Sequence, residues 1–519
     1  MYLKKSLLLV VCAAGVCAGA AQTVPAAHVF FRVRAASSLP GPVSGRLLVF
    51  VKAGSGDKEV TTDEFRPTAT WVAAEEIHDL KPGTEVELDA DEMAFPKPFS
   101  QLSPGTYEAQ AVLDVEHTYN YSGRSAEDWV SGVAALGDWQ PGAGEPELTL
   151  DHHPAESPMR QAAESMRAAA GNAVHLEEME SALLTKFWGH AVKLGAWVIL
   201  PPGYAEHATE KYPTVYWTHG FGGNLERVEI YGLQIYDRMK AGKMPPMIWV
   251  MLDESCAEGT HEFADSVNNG PWGAALTTEM IPYLESKYRM EARRDARFLQ
   301  GHSSGGWASL HLEIDYPKIF GGTWSTSPDP SDFHDFTEID LYATHANVFR
   351  RADGTAYPVM RDKGKVVATW EELTRLEDVL GPYGGQIASF DWVFSPKSKS
   401  GSPEPMFDHA TGEVRPEVVA YWHEHYDLAH DVETHWAERG ADLKGRIHLY
   451  VGTADTFYLD GAAHELDAVL ARLGADAKFT YLPGRTHFDL YVVGKDRMAL
   501  FDEIARQMWE VARPGQSWR

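Results

Sequence analysis

Between residues 297 and 317 the chain reads RFLQGHSSGGWASLHLEIDYP, and few backbones can accommodate that run. Phe298 and Leu299 close a short apolar segment, and Gly301-His302-Ser303-Ser304-Gly305 fits the pattern G-x-S-x-G. From Gly306 the spacing of Trp307, Leu310 and Ile314 predicts a helix that Pro317 stops. Strand, sharp turn and helix are the context in which such a serine is presented as a nucleophile. The serine's backbone is strained on that turn, and side chains two residues to either side would collide, so glycine is needed at both places. The pattern separates the two serines: Ser303 lies between Gly301 and Gly305, whereas Ser304 has His302 at the first of these places.

A serine hydroxyl needs a base to accept its proton and N–H donors to hold the oxyanion. With a nucleophile on this kind of turn, the partners follow in the order serine, acid, histidine, which prunes the 22 histidines. Residues 447–451 read as a late strand and Gly452-Thr453-Ala454-Asp455 as the turn after it, so Asp455 is the expected acid, with Asp460 in reserve. Only His464 and His487 follow Asp455. His464 falls in a stretch of helical spacing, 461–473, and reads as structural. His487 follows the strand ending at Leu482, on a loop from which a base can reach the elbow, and is the expected base. One oxyanion donor is expected at the amide of Ser304. The other is expected in His219-Gly220-Phe221-Gly222-Gly223, the glycine-rich loop after the strand 214–218, with Phe221 as first choice and Gly222 as alternative.

Length sets the wider organisation. A chain of 519 residues is expected to hold more than one domain. Residues 22–150 read as an all-β unit: 28–33, 45–51 and 106–115 alternate or run apolar between turn clusters such as Lys81-Pro82-Gly83. Leu102-Ser103-Pro104-Gly105-Thr106-Tyr107 resembles the tyrosine corner of immunoglobulin-like sandwiches. Residues 151–183 read as a connector with a helix over 159–170. From 184 to 519, strands and helices alternate, which predicts a mostly parallel, doubly wound α/β sheet. Strands are expected at 196–200, 214–218, 247–252, 296–299, 321–325, 446–451 and 477–482, and helices at 273–288 and 496–511. Residues 328–445 interrupt that rhythm with many aromatics, among them Phe333, Phe336, Trp370 and Trp392, and read either as a cap over Ser303 or as an added packing layer. Every catalytic candidate lies after residue 184, so the β-rich unit reads as a structural or interaction module dispensable for the chemistry.

A net charge of −28 argues against nucleic acid as a partner and against anionic membrane surfaces. At the amino terminus Lys4 and Lys5, the apolar run 7–16 and Ala18-Gly19-Ala20 read as a secretory signal occupying residues 1–21, which predicts a periplasmic or extracellular protein. The apolar run is short for a membrane span, so stable membrane insertion is not expected. No cofactor and no metal are expected: His261-Glu262 and Asp332-Phe333-His334 lack the spacing of metal sites.

Several pieces together resemble the esterase D and feruloyl esterase group of α/β-hydrolases, which also includes mycolyltransferases. They are Leu200-Pro201-Pro202-Gly203-Tyr204, Tyr212-Pro213, His219-Gly220-Phe221-Gly222-Gly223, Asn269-Gly270-Pro271-Trp272-Gly273, Gly301-His302-Ser303-Ser304-Gly305-Gly306 and the region of His487. The resemblance covers a little over a third of the chain. It implies an α/β-hydrolase fold and a Ser303–Asp455–His487 triad, with His219, Gly220, Gly222, His302 and Trp272 bordering the substrate. The implied activity is cleavage of a small-molecule or carbohydrate-linked carboxylic ester by an exported serine hydrolase. Two other readings stand beside it: an acyltransferase using the same triad, and a non-catalytic binding protein on a hydrolase scaffold. The length argues against a peptidase with an amino-terminal propeller, since about 125 residues are too few for the blades.

Overall fold

The computed structural model describes residues 28–518, apart from Ser55, Glu64 and Ser157. The expected signal segment, residues 1–21, lies outside the described residues. Residues 30–152 carry nine strands hydrogen-bonded into one sheet. Alternation puts Phe31 and Val33 of the strand Phe30–Ala35 into the same core as Leu47, Val49 and Val51 of the strand Val43–Ala53. These strands are not neighbours in the sheet, so the sheet folds over on its own apolar face. The other face of Val43–Ala53, carrying Leu48 and Phe50, packs with Leu376, Val379 and Leu380 from far along the chain. At the expected corner the Tyr107 hydroxyl donates to the Ser103 carbonyl at 2.7 Å.

The helix expected near 159–170 spans Pro158–Ala170, and Arg167 on it pairs with Glu229. The connector ends sooner than the expected boundary at 184, because Val174–Glu180 is already a strand of the second sheet. That sheet has eight strands, labelled here β1 (Val174–Glu180), β2 (Lys193–Ile199), β3 (Thr214–Thr218), β4 (Ile248–Leu252), β5 (Arg297–His302), β6 (Thr323–Thr326), β7 (Ile447–Gly452) and β8 (Lys478–Leu482). Their order is β1-β2-β4-β3-β5-β6-β7-β8. β1, β2 and β4 pair antiparallel, and the remaining pairs are parallel. Residues of β3 and β4 are buried on both faces, as in a parallel sheet covered by helices on each side. The two apolar layers are separate cores, one holding Trp217, Phe298 and Ile504, the other Tyr216, Leu299 and Leu312.

After β6 the chain leaves the sheet through a hairpin, Pro358–Asp362 with Lys365–Thr369, and the helices Trp370–Leu380, Gln386–Phe394 and Pro416–Tyr426. The first of these helices starts in a capping box, with Thr369 and Glu372 satisfying each other's amides. The excursion is shorter than the expected 328–445. The helix Leu428–Leu443 already belongs to the layer beside the sheet, where Arg439 pairs with Asp315 of the helix after β5.

Candidate active site

The elbow forms at the end of β5. Ser303 has φ 61° and ψ −126°, and the helix Ser304–Asp315 starts at the next residue. A Cβ on Gly301 would lie 1.9 Å from the Gly305 carbonyl oxygen, and one on Gly305 would lie 2.2 Å from the His219 carbonyl oxygen. Both glycines are therefore required by space alone. The Ser304 amide stands at the helix amino terminus, where N–H groups lack intrahelical acceptors.

The base and acid meet at the ends of β7 and β8. His487 Nδ1 lies 3.0 Å from Asp455 Oδ2, and both side chains are buried. Burial works against a charge on Asp455, but His487 and the Phe457 amide, which donates to Oδ1 at 2.9 Å, hold its carboxyl below the ordinary range. The contact leaves His487 Nε2 for the nucleophile. Asp460 instead takes an ion pair from Arg361 at 3.0 Å, and Arg361 also donates to the Asp455 carbonyl. The first-choice acid is the one the structure brings to the histidine. His464 sits in the helix Asp460–Leu473 and stacks on Tyr481.

The loop after β3 lies against the nucleophile: a Cβ on Gly220 would be 2.7 Å from that of Ser303. His219 shapes this loop, with Nδ1 2.8 Å from the Gly220 carbonyl oxygen and Nε2 3.1 Å from Asp253 Oδ1. His302 is packed 4.4 Å from the His487 ring, and burial, then that neighbour, push it down to about 3, so it is neutral. Ser303, His487, His219, Gly220, Phe221 and His302 all line one cavity of about 420 Å³. Two expected substrate residues do not. Trp272 is buried, stacked 3.6 Å on His261 with its N–H on the Asn269 carbonyl, so it braces the fold behind the site. Gly222 borders the neighbouring groove.

The cavity also contains residues that the motifs do not signal. Asp329, three residues past β6, has Oδ1 3.4 Å from Ser303 Oγ and accepts from Ser304 Oγ at 2.7 Å. Burial pushes its carboxyl up to about 6. Its place beyond a strand end next to the elbow is the one sequence signal it carries. The excursion contributes Phe336, Met360, Trp370 and Phe390, whereas Phe333 packs in the excursion's own core and the half-buried Trp392 is not part of the cavity lining. The aromatic stretch thus divides between residues that line the cavity and residues packed in its own core. The β-rich unit contributes Thr62, Pro67 and Asn120, so it is part of the site and not a detached module. A polar groove with Lys58, Arg66, Arg124, Asp57 and Asp63 adjoins the cavity and shares Thr62, Asn120 and Phe221 with it.

Comparisons with known proteins bear on the same region. A sequence model of the family described as "Putative esterase" matches residues 192–488, more than half of the chain. Esterase Rv1288 of Mycobacterium tuberculosis is 31% identical over 166 residues, covering 31% of this chain and 35% of that protein, so the match spans about a third of the curated relative's length. Among solved structures, a ferulic acid esterase aligns at 16% identity with a TM-score of 0.39, covering 66% of this chain and 97% of its own. An S-formylglutathione hydrolase from Agrobacterium tumefaciens aligns at 15% identity with a TM-score of 0.36, covering 66% of this chain and 95% of its own.

Proposed function

The chain belongs to this esterase family, and we propose that it is a carboxylic ester hydrolase of the α/β-hydrolase fold that works through an acyl-enzyme on Ser303, with His487 as base and Asp455 as the acid that orients it. The observation that carries the reading is the strained Ser303 sharing one cavity with His487, whose Nδ1 is 3.0 Å from the buried Asp455. Ser303 Oγ attacks the acyl carbonyl carbon as its proton passes to His487 Nε2. The oxyanion accepts from the Phe221 and Ser304 amides. Collapse expels the alcohol, which leaves with the proton from His487. Water, deprotonated by His487, then attacks the acyl-enzyme and releases the acid and free Ser303. Asp455 stays charged throughout and favours the imidazolium as it forms.

We read the two adjoining spaces as the two halves of the ester. The walls that Phe336, Met360, Trp370 and Phe390 give the cavity suit an apolar acyl group, and its volume is within the range of small-molecule sites. The groove, with charges of both signs, suits a polar alcohol such as a sugar. Export, read from residues 1–21, belongs to the same proposal; recovery of a carboxyl-terminal reporter fusion outside the cytoplasm is the result it predicts. So does an immunoglobulin-like character for the β-rich unit, supported by the Tyr107 corner.

The test is hydrolysis of p-nitrophenyl esters by Ser303→Ala. A loss in kcat on the order of 10⁴ to 10⁶ at unchanged thermal stability is expected. Substantial activity in Ser303→Ala, with loss in Ser304→Ala, would place the nucleophile elsewhere.

A further inference from the structure

We propose that Tyr121, supplied by the amino-terminal β-rich unit, is a positioning residue for the oxyanion hole of the carboxyl-terminal unit. The proposal rests on the reading of Phe221 as an oxyanion donor. The Tyr121 hydroxyl donates to the Gly223 carbonyl, two residues beyond Phe221. Its ring meets the Phe221 ring edge to face, with centroids 5.1 Å apart and planes at 86°. The loop itself is a tight turn, closed by the Gly223 amide on the Gly220 carbonyl at 3.1 Å and by His219 on the same carbonyl. Among the described residues, the one side-chain hydroxyl that ties down the loop's distal end thus comes from a residue 102 positions away in sequence. Tyr121 is itself buried. Burial, then the carboxylates of Asp253 and Glu254, push its phenol well above the ordinary value, so the hydroxyl remains a donor at any working pH.

The turn that presents Tyr121 is built to be rigid. Asp114 at the end of the strand Gly105–Asp114 accepts from the amides of Thr118 and Tyr119 at 3.1 and 2.9 Å. Tyr119 stacks on Phe50 of the sheet at 5.3 Å. The neighbour of Tyr121, Asn120, donates to the carbonyls of Glu377 and Gly381, and Arg46 donates to that of Val379 at 2.9 Å. One short turn therefore fastens two walls of the cavity, the oxyanion loop and the helix Trp370–Leu380, to a folded sheet. Removing the hydroxyl releases the loop by a fraction of an ångström. That scale matters, because misplacement of about 1 Å can cost on the order of 10²-fold in rate.

The experiment compares the full-length protein with Tyr121→Phe, Tyr107→Phe and Ser303→Ala, using p-nitrophenyl acetate and an alkyl boronic acid as a tetrahedral-adduct mimic. Tyr107→Phe loses the solvent-exposed corner bond of the same sheet, outside the cavity lining, and controls for loss of a tyrosine hydroxyl in this unit. For Tyr121→Phe the account predicts a kcat lower by roughly 10-fold, KM within about 2-fold, boronate affinity weakened in proportion to kcat/KM, and a melting temperature matching that of Tyr107→Phe. Tyr107→Phe keeps kcat and boronate affinity. Unchanged kcat in Tyr121→Phe, or a loss matched by Tyr107→Phe, overturns the proposal. An active Ser303→Ala instead overturns the esterase reading on which it stands, so the two failures are told apart.

Discussion

At the scale of single residues, the site combines groups that sequence spacing reveals with groups that it hides. Ser303, Asp455 and His487 are legible because each sits at a fixed offset from a strand end, and the steric demand for Gly301 and Gly305 marks the nucleophile. Asp329 is not legible, since nothing around it repeats; it becomes notable only when folding buries it against Ser303 and Ser304. Its carboxyl rises from 3.8 to about 6, so ionisation opposes folding. The penalty is absent below about pH 4, grows between pH 4 and 6, and is complete above, where it corresponds to about 3 kcal/mol. Asp329→Asn is therefore expected to raise the unfolding midpoint at pH 7 and to leave it unchanged at pH 4. An equal effect at both pH values would show that packing, not charge, decides this position.

At the scale of elements, the α/β order was readable from apolar runs, and β3, β4, β7 and β8 lie within a residue of their expected places, while β5 runs three residues further than expected, to the elbow. Boundaries set by pairing were less readable. β1 is an edge strand whose exposed face carries Glu178 and Glu180, so its polarity disguised it as connector. The excursion after β6 divides its aromatics by a criterion that no sequence period encodes: which side of the layer faces Ser303. Phe336 and Trp370 line the cavity, while Phe333 lies in the core beneath. Phe336→Leu is expected to raise KM for a benzoyl ester about 3- to 10-fold and to spare the acetyl ester, because an aromatic pair is worth about 0.5 to 1.5 kcal/mol beyond its area. Parallel changes for both esters would assign Phe336 to packing alone.

At the scale of the whole molecule, two units separated by a helical connector share one site. The motifs gave no hint of this, because a docking face looks like any other apolar strand face: Leu48 and Phe50 alternate as core residues do, yet their partners are Leu376, Val379 and Leu380. On the far rim, Phe65 meets Phe488, the residue after His487, with ring centroids 5.7 Å apart. A chain starting at residue 151 is accordingly expected to lose activity even on a small acetyl ester, against the expectation from motif positions alone; full activity in the truncated protein would detach the β-rich unit from the site. The claim on which everything else depends is that Ser303 is the nucleophile of the intact protein. It is tested most directly by labelling the full-length chain with an organophosphonate and mapping the modified peptide by mass spectrometry. The account predicts a single adduct on Ser303, lost in His487→Ala. An adduct on Ser304, or stoichiometric labelling that persists in Ser303→Ala, would contradict it.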